Sequence, residues 1–301
     1  MTKNRTKINW FPGHMKKALN EMAKEVKNID ALIYVLDARA PMACLNPSFF
    51  DLIGPKPILF VLNKVDLADE SKLSGVVNKL AAENRKVIML TSTVSGAIGK
   101  VTSALNDLCR EKIEKFKNKG VNYYVRAMIL GVPNSGKSTL TNNLCGKTKA
   151  ETGNRPGVTK SKQWVKLSNN IEILDTPGAL WPNLENEKTA LNLAFIGSIK
   201  DEVLQVEEVA LSLIEALKES YFGALKARFD VKEDQTPLEI MEEIAKKRKF
   251  ILRDGDFDYE RTAKAILDDF RKGKLGRITL LWNKKIMQKA NTAKRWPRSF
   301  C

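Results

Sequence analysis

The segment best suited to chemistry lies near the middle of the chain and has the residues of a phosphate-binding loop. Residues 131–138 read GVPNSGKS, which matches the pattern G-x-x-x-x-G-K-[ST], and they follow an apolar run and precede a helical pattern. In that setting the glycines let backbone N–H groups surround phosphate oxygens, and the helix start adds partial positive charge. Lys137 is expected to reach the outer phosphates and Ser138 to ligate Mg²⁺. The predicted contacts of this loop are Asn134, Ser135, Gly136, Lys137, Ser138 and Thr139.

Two segments beyond this loop provide candidates for the rest of a Mg²⁺ and terminal-phosphate site. Asp175 ends an apolar run and is followed by Thr-Pro-Gly, so its carboxylate can hold the metal shell while the N–H of Gly178 meets the terminal phosphate. Between the loop and Asp175, residues 154–159 read NRPGVT, where the hydroxyl of Thr159 is a further candidate ligand of Mg²⁺. Asp-x-Pro-Gly is also ordinary turn chemistry, and its position after a strand is what favours the metal role.

A tetrapeptide earlier in the chain suits a guanine base. Residues 63–66 read NKVD, so Asp66 can accept from N1–H and the exocyclic amino group while Asn63 bonds the O6/N7 edge and Lys64 lies between them. Adenine lacks these donors, and each lost hydrogen bond would cost roughly 1–3 kcal/mol, so guanine is preferred. Ser92 and Thr93 follow the next apolar run, where a backbone N–H can support the O6 edge. The alternative for the tetrapeptide is a simple turn after a strand.

Apolar runs alternate with helical patterns over the first 175 residues. This rhythm predicts an α/β fold with a mostly parallel sheet flanked by helices, whose ligands bind at the carboxyl ends of the strands. The predicted strands are Ala31–Leu36, Ile58–Leu62, Val87–Leu90, Ala127–Leu130 and Ile171–Leu174, and the predicted helices are Leu73–Glu83, Gly99–Phe116 and Thr139–Leu144.

Beyond about residue 183 the strand-like runs stop, and the pattern predicts a smaller, all-helical domain. Thr236 and Glu239 have the spacing of a capping box, with proline in the first helical turn, which indicates a helix start. The predicted helices of this region are Glu187–Ile199, Glu202–Ser220, Pro237–Phe250 and Tyr259–Lys272.

The order of the motifs is unusual, because the guanine tetrapeptide precedes the phosphate loop instead of following it. Joining the nearby ends of a compact domain and reopening the chain elsewhere keeps the site while it moves the termini. In this respect the chain resembles the circularly permuted P-loop GTPases of the bacterial RbgA (YlqF) family, over nearly its whole length. One departure is Ser135, where the family usually carries valine. The segments that carry the resemblance are residues 10–15 (WFPGHM), 37–41 (DARAP), 63–66 (NKVD), the phosphate loop, 155–159 (RPGVT) and 175–182 (DTPGALWP).

The resemblance implies a GTPase that binds GTP and GDP with Mg²⁺ and assists late assembly of the large (50S) ribosomal subunit, stimulated by the ribosomal particle. It implies that the large subunit and its rRNA are the partners. The corresponding domain ranges are residues 1–183 for the permuted GTPase domain with its basic N-terminal segment, 184–283 for a helical RNA-contacting domain, and 284–301 for a basic tail.

The chain lacks the glutamine that orients the attacking water in many GTPases. Many GTPases orient the attacking water with a glutamine directly after D-x-x-G, but this position is Ala179, which predicts slow turnover without a partner. The resemblance implies a catalytic role for His14, whose neutral imidazole can accept from water near neutral pH. From the residues alone, a histidine beside Trp10 and Phe11 is more often a packing residue. The resemblance also implies that Asn134 binds K⁺, with a turn asparagine as the alternative.

Charge and composition point to a polyanionic partner. The formal net charge is +16, and both ends of the chain are basic without acidic residues, which together favours RNA over an acidic membrane surface; no DNA partner is expected. The four cysteines lack the spacing of a zinc site or a disulfide framework, and no apolar run approaches the ~20 residues that span a bilayer. A cytoplasmic location is therefore predicted.

Three other functions fit the same residues, one of which is recruitment to an anionic membrane through the basic ends. The chain could be an RNA-binding module that GTP locks in one state, with incidental hydrolysis, and the missing glutamine favours this alternative. It could also be a GTPase that acts on small-subunit rRNA or on tRNA.

Overall fold

Six strands form one sheet at the centre of the molecule. The structure is a computed structural model that describes residues 13–94, 96–144, 163–168, 170–180 and 186–281. The strand order is β3-β2-β1-β4-β6-β5, and all neighbouring strands are parallel except β5 and β6, which are antiparallel. The strands are β1 Ala31–Asp37, β2 Ile58–Asn63, β3 Arg85–Met89, β4 Val125–Leu130, β5 Gln163–Ser168 and β6 Ile171–Asp175.

All five predicted strands are present, which confirms the α/β sheet. Every residue of β1 and β2 is buried, as expected for parallel strands covered on both faces. Strand β5 was not predicted; it pairs only with β6 and lies at one edge of the sheet. Its residues, QWVKLS, form a short mixed run that has no strong apolar signal.

Ten α-helices are found in the described ranges. The predicted helix Gly99–Phe116 is two helices, because the backbone of Cys109 leaves the helical region between them. The capping box is confirmed: Thr236 Oγ1 accepts from the N–H of Glu239, and the Glu239 carboxylate accepts from the N–H of Thr236. The helices are α1 Gly13–Glu25, α2 Pro47–Ile53, α3 Leu73–Leu80, α4 Ala97–Leu108, α5 Arg110–Lys117, α6 Lys137–Leu144, α7 Glu187–Phe195, α8 Val206–Phe229, α9 Pro237–Arg248 and α10 Tyr259–Arg271. None of them is both long and apolar enough to cross a membrane.

The two faces of the sheet have separate apolar cores. One core joins the sheet to α4 and α6, through residues such as Val101 and Leu140. The other joins Tyr34 and the opposite face to α7–α10, which we call the helical region. Because Leu213 and Phe270 of this region belong to the same apolar cluster as Tyr34, the helical region packs directly on the sheet. The domain boundary after residue 183 stays a prediction, since residues 181–185 lie outside the described ranges.

Candidate functional site

The carboxyl ends of four adjacent strands bring the predicted site residues to one edge of the sheet. In the order β2-β1-β4-β6, Asn63 ends β2, Asp37 ends β1 and Asp175 ends β6, while the phosphate loop follows β4. Ligands of open parallel sheets bind at this edge. The sheet therefore gathers residues that are more than a hundred positions apart in the chain.

The phosphate loop turns tightly between β4 and α6, and two glycines allow close approaches there. Gly136 has φ +94°, and a Cβ at this position would fall on the side-chain nitrogen of Asn63. A Cβ on Gly178 would lie 2.8 Å from the Nζ atom of Lys137 and 2.8 Å from the backbone nitrogen of Pro133. Larger residues at either position would push the loops apart, so the geometry requires glycine at both.

Lys137 is buried at the start of α6. Its Nζ atom donates to the carbonyl of Val132 at 2.8 Å, which folds the side chain back over the loop. Burial lowers the pKa of the ammonium from its ordinary value to about 8, although the nearby Asp175 carboxylate opposes this shift. The cation is thus held where phosphate oxygens would compensate for its lost hydration.

Asp175 has the surroundings of a metal ligand. Its carboxylate is fully buried, and neither oxygen has a hydrogen-bond partner among the described residues. Burial raises the pKa of this carboxyl above its ordinary value, against the opposing charge of Lys137. Nucleotide sites commonly hold Mg²⁺ through one or two protein oxygens together with phosphates and water, so Asp175 with Ser138 of α6 fits this ion. No group of three or more acidic, histidine or cysteine residues in the described part of the chain forms another metal site.

Asn63 joins two loops of the site. Its side-chain oxygen accepts from the N–H of Ser92 at 2.9 Å and from the Ser92 hydroxyl at 2.7 Å, and its side-chain nitrogen donates to the carbonyl of Ser135 at 2.9 Å. From the sequence, Asn63 and a backbone N–H of the loop that contains Ser92 and Thr93 are predicted to contact the O6 side of guanine. In the structure the N–H of Ser92 donates to Asn63, and the amide of Asn63 has a positioning role that the sequence did not reveal.

Asp66 is placed differently from Asn63, because it is exposed beyond the strand end. One carboxylate oxygen accepts from the Thr91 hydroxyl at 2.9 Å. Thr93 is exposed on the neighbouring loop. An exposed carboxylate held on one side by a hydroxyl can accept the paired N–H groups of a guanine edge.

A cluster of three charged residues, Asp37, Arg39 and Lys64, connects the guanine tetrapeptide to the phosphate loop. Lys64, in a left-handed conformation with φ +62°, places its Nζ atom 2.9 Å from Asp37 and donates to the carbonyl of Asn134 at 2.6 Å. Arg39 donates to both oxygens of Asp37, at 2.9 and 2.7 Å. Burial alone would raise the pKa of Asp37, but Arg39 and then Lys64 hold it well below its ordinary value. The motif at residues 37–41 did not indicate this ion pair.

The helical region contacts the phosphate loop directly. Asn134, with φ +59°, donates from its side-chain nitrogen to the carbonyl of Gly197 at 2.6 Å, and the hydroxyl of Ser198 donates to the carbonyl of Pro133 at 2.6 Å. The predicted binding of K⁺ by Asn134 stays a prediction. In the structure its amide nitrogen contacts the turn after α7.

Comparison with known proteins identifies the family. Residues 126–252 match the family described as 50S ribosome-binding GTPase. Ribosome biogenesis GTPase A of Bacillus licheniformis is 40% identical over 276 residues, which cover 90% of this chain and 97% of that protein. The chain belongs to the ribosome biogenesis GTPase A family. The mouse (Mus musculus) mitochondrial ribosome-associated GTPase 1 is 33% identical, with 90% of this chain and 89% of that protein covered.

Solved structures of the family agree with the fold. GDP-bound YlqF has a TM-score of 0.60 and 26% sequence identity, covering 88% of this chain and 99% of that one. GNP-bound YlqF from Thermotoga maritima also has a TM-score of 0.60 and 26% identity, covering 87% and 97%. Membership of the family confirms three predictions for this chain: the circularly permuted GTPase fold, the binding of guanine nucleotides and the hydrolysis of GTP.

Two of the predicted site residues are described only in part or not at all. Thr159 lies outside the described residues. His14 is the second residue of α1, and only its backbone is described. At the position after D-x-x-G, Ala179 is fully buried and its carbonyl accepts from the side chain of Asn46 at 3.3 Å. Ala179 has no polar side-chain atom that could orient water.

Proposed function

We propose that this GTPase assists late assembly of the large (50S) ribosomal subunit and that the ribosomal particle stimulates its GTP hydrolysis. The contact of Asn63 with both the phosphate loop and the Ser92 loop supports the GTPase part of the proposal, because it joins the base-reading and phosphate-reading parts of one site. Membership of a family described as ribosome-binding supports the choice of partner. The formal net charge of +16 also favours an RNA particle.

Each part of the site has a defined task in this proposal. Asp66 accepts from the guanine edge, and Lys137 neutralises the outer phosphates. Mg²⁺, when bound by Ser138, Asp175 and Thr159, supplies positive charge to the phosphate oxygens. The other proposed nucleotide contacts are Asn63, Lys64, Thr93, Asn134, Ser135, Gly136, Thr139 and Gly178, with Ser92 acting through Asn63.

The attacking water needs a group other than residue 179. Ala179 is fully buried, so we assign the orientation of water to His14, which lies at the start of α1. A neutral imidazole can accept a hydrogen bond from water near neutral pH. A K⁺ ion near Asn134 would add positive charge at the transferring phosphate. If His14 reaches the water only when α1 docks on a partner, turnover by the free protein is slow.

The RNA contacts of the proposal come from the helical region and the two basic ends. Residues 184–283 would contact rRNA, and the basic segments at both ends would add phosphate contacts. The domain limits at residues 183 and 283 belong to this proposal. Relatives include bacterial and mitochondrial proteins, and the cytoplasmic location stays a prediction.

A second candidate function is an RNA-binding module that GTP locks in one state. The buried Ala179 favours it, because a chain without a water-orienting residue at this position would hold GTP for long periods. This candidate predicts that nucleotide state changes RNA affinity while turnover stays slow even on the particle.

The test measures GTP turnover by the wild type and His14→Ala, alone, with large-subunit particles and with small-subunit particles. We expect strong stimulation by large subunits only, and its loss in His14→Ala at unchanged GTP affinity. Stimulation by small subunits would indicate the other rRNA target. If no particle stimulates turnover, the nucleotide-locked module explains the data better.

A further inference from the structure

The long helix α8 is interrupted at Tyr221, whose side chain contacts the loop that follows the guanine tetrapeptide. Tyr221 has φ −147° and ψ 37° within Val206–Phe229, so the helix does not continue regularly through this residue. Departures from helical geometry have local causes, and the side chain of Tyr221 makes contacts outside the helix. The side chain of Tyr221 is half-buried and packs against the apolar core on the helical side of the sheet.

The hydroxyl of Tyr221 binds the loop that follows the guanine tetrapeptide. It accepts from the N–H of Thr279 at 3.0 Å, and it lies 3.0 Å from a carboxylate oxygen of Asp69 and 3.0 Å from the carbonyl of Thr279. The single hydroxyl hydrogen can be donated to one of these acceptors, and the charged carboxylate is the stronger. The Nζ atom of Lys72 lies 3.9 Å from the centre of the tyrosine ring, which adds a cation–π contact.

Thr279 also binds the loop that contains Asp69, through its own side chain. Its hydroxyl oxygen lies 3.0 Å from the N–H of Asp69, which donates to it, and 3.1 Å from the carbonyl of Ala38, which accepts its hydrogen. Next to it, the N–H of Ile278 donates to the carbonyl of Leu67 at 3.1 Å. The segment after α10 is therefore hydrogen-bonded to residues 67–69. Tyr221 contacts both segments, through Thr279 and Asp69.

Asp66 lies within the loop that these contacts hold. Lys64 enters it in a left-handed conformation, and a short 3₁₀ turn covers Val65–Leu67. Asp66 is exposed, and its side chain has one hydrogen bond to Thr91 among the described residues. The loop backbone and the Thr91 hydroxyl together therefore determine where the carboxylate points.

We propose that Tyr221 is a positioning residue for guanine recognition: by holding Asp69 and Thr279, its hydroxyl fixes the loop that presents Asp66 to the base. The proposal rests on the base contact assigned to Asp66 in the proposed function. Tyr221 acts from the helical region and does not touch the nucleotide. Burial raises the pKa of its hydroxyl above the ordinary value, so the group remains a donor across the physiological pH range.

The predicted effect is confined to ligands that carry a guanine. Removing the hydroxyl leaves the Asp69 carboxylate and the Thr279 N–H without this partner, which loosens the loop around Asp66. Inorganic triphosphate contacts only the phosphate loop, so its binding does not depend on Asp66. If Asp66 is misplaced, the KM for GTP should rise with little change in kcat. The reason is that Asp66 contacts the guanine base equally in the ground state and in the transition state.

The experiment compares three variants of the full chain. Tyr221→Phe tests the proposal, Tyr259→Phe is the matched control, and Asp66→Ala tests the underlying base contact. Tyr259 is a suitable control because it also lies in the helical region and its hydroxyl also donates to a carboxylate, that of Glu242 at 2.8 Å. The measurements are GDP affinity, inorganic triphosphate affinity by competition, and the KM and kcat for GTP.

We expect Tyr221→Phe to lower GDP affinity about three- to tenfold while triphosphate affinity and kcat stay unchanged, and Tyr259→Phe to change none of these. Unchanged GDP affinity in Tyr221→Phe, with a large loss in Asp66→Ala, would overturn the role of Tyr221 and leave the base contact standing. Equal losses for GDP and triphosphate would also overturn it, since they indicate general damage. If Asp66→Ala keeps full GDP affinity, the base contact itself fails and the role of Tyr221 fails with it.

Discussion

The side chain of Asn134 in the phosphate loop donates to the carbonyl of Gly197, 2.6 Å away, at the end of the first helix of the helical region. The same turn provides Ser198, whose hydroxyl donates to the carbonyl of Pro133. A loop that would surround phosphate is therefore bonded on its outer side to another part of the chain. We therefore expect changes in the helical region to affect the phosphate loop, and changes in the loop to affect the helical region.

This contact closes a ring of polar interactions around the site. Arg271 of α10 donates to the carbonyl of Ala194 at 2.8 Å, and its own carbonyl accepts from Arg39 at 3.0 Å. Arg39 in turn pairs with Asp37, which also pairs with Lys64, and Lys64 donates to the carbonyl of Asn134. The N–H of Gly197 donates to the carbonyl of Ala194 at 3.0 Å. The ring therefore connects the guanine tetrapeptide, the phosphate loop and the helical region, in the order Asn134, Lys64, Asp37, Arg39, Arg271, Ala194 and Gly197.

Arg39 should matter more to stability than a surface arginine. It is 2% exposed and donates to both oxygens of fully buried Asp37, so Arg39→Ala leaves a buried carboxylate whose remaining cationic partner among the described residues is Lys64. Breaking a buried ion pair from one side costs about 3–5 kcal/mol, and we expect that loss in the free energy of unfolding in urea. The control is Arg110→Ala, because Arg110 pairs with Asp107 on the surface and should cost about 0–1 kcal/mol. Similar losses in the two variants would contradict the prediction.

Nucleotide affinity should depend on pH through Lys137. Burial lowers the pKa of its ammonium to about 8 in the free protein, and bound phosphates would raise it again. Below pH 8 the group is charged before and after binding, so affinity is flat. Above pH 8 binding must take up a proton, so GDP affinity should fall by up to about tenfold per pH unit.

The measurement is GDP affinity from about pH 7.5 to about pH 9, with proton uptake determined by calorimetry in buffers of different ionisation enthalpy. Lys137→Arg serves as the comparison, since arginine stays charged over this range and its weaker binding should not vary with pH. Flat affinity and no proton uptake in the wild type would show that Lys137 keeps its ordinary pKa.

Local patterns predicted the sheet and the motifs, but not the contacts between distant segments. The strand ends at Asn63 and Asp175 follow from apolar runs that stop at polar residues, and such runs are read directly from the sequence. The bond from Arg39 to the carbonyl of Arg271 spans 232 positions and uses a backbone oxygen, which every residue offers. No residue type at position 271 could indicate it.

The same limit applies to Tyr221 and to the amide of Asn63. No proline occurs in α8, and the irregular backbone at Tyr221 is stabilised by partners from two other parts of the chain. Asn63 was recognised as part of a guanine motif, yet its hydrogen bonds to Ser92 and Ser135 depend on how two loops meet after folding. Motifs indicate which residues contact a ligand, whereas positioning residues become visible only in three dimensions.

Ser198 offers the cleanest test of the link between the helical region and the phosphate loop. It is fully buried and outside the nucleotide motifs, and its hydroxyl bonds the Pro133 carbonyl at 2.6 Å. Ser198→Ala removes this bond with little change in shape, so the loop should open more easily and release GDP about three- to tenfold faster, at a stability cost of about 1 kcal/mol. Ser103→Ala, on the exposed side of α4, is the control and should change neither quantity.

The coupling must also act in reverse, because linkage between two sites is reciprocal. GDP bound to the phosphate loop should slow amide hydrogen exchange in the turn at residues 197–198, and this protection should be smaller in Ser198→Ala. Faster GDP release together with reduced protection would show that the helical region and the nucleotide act on each other through this turn. If exchange in the turn is the same with and without GDP, the two hydrogen bonds hold the structure together without transmitting nucleotide state.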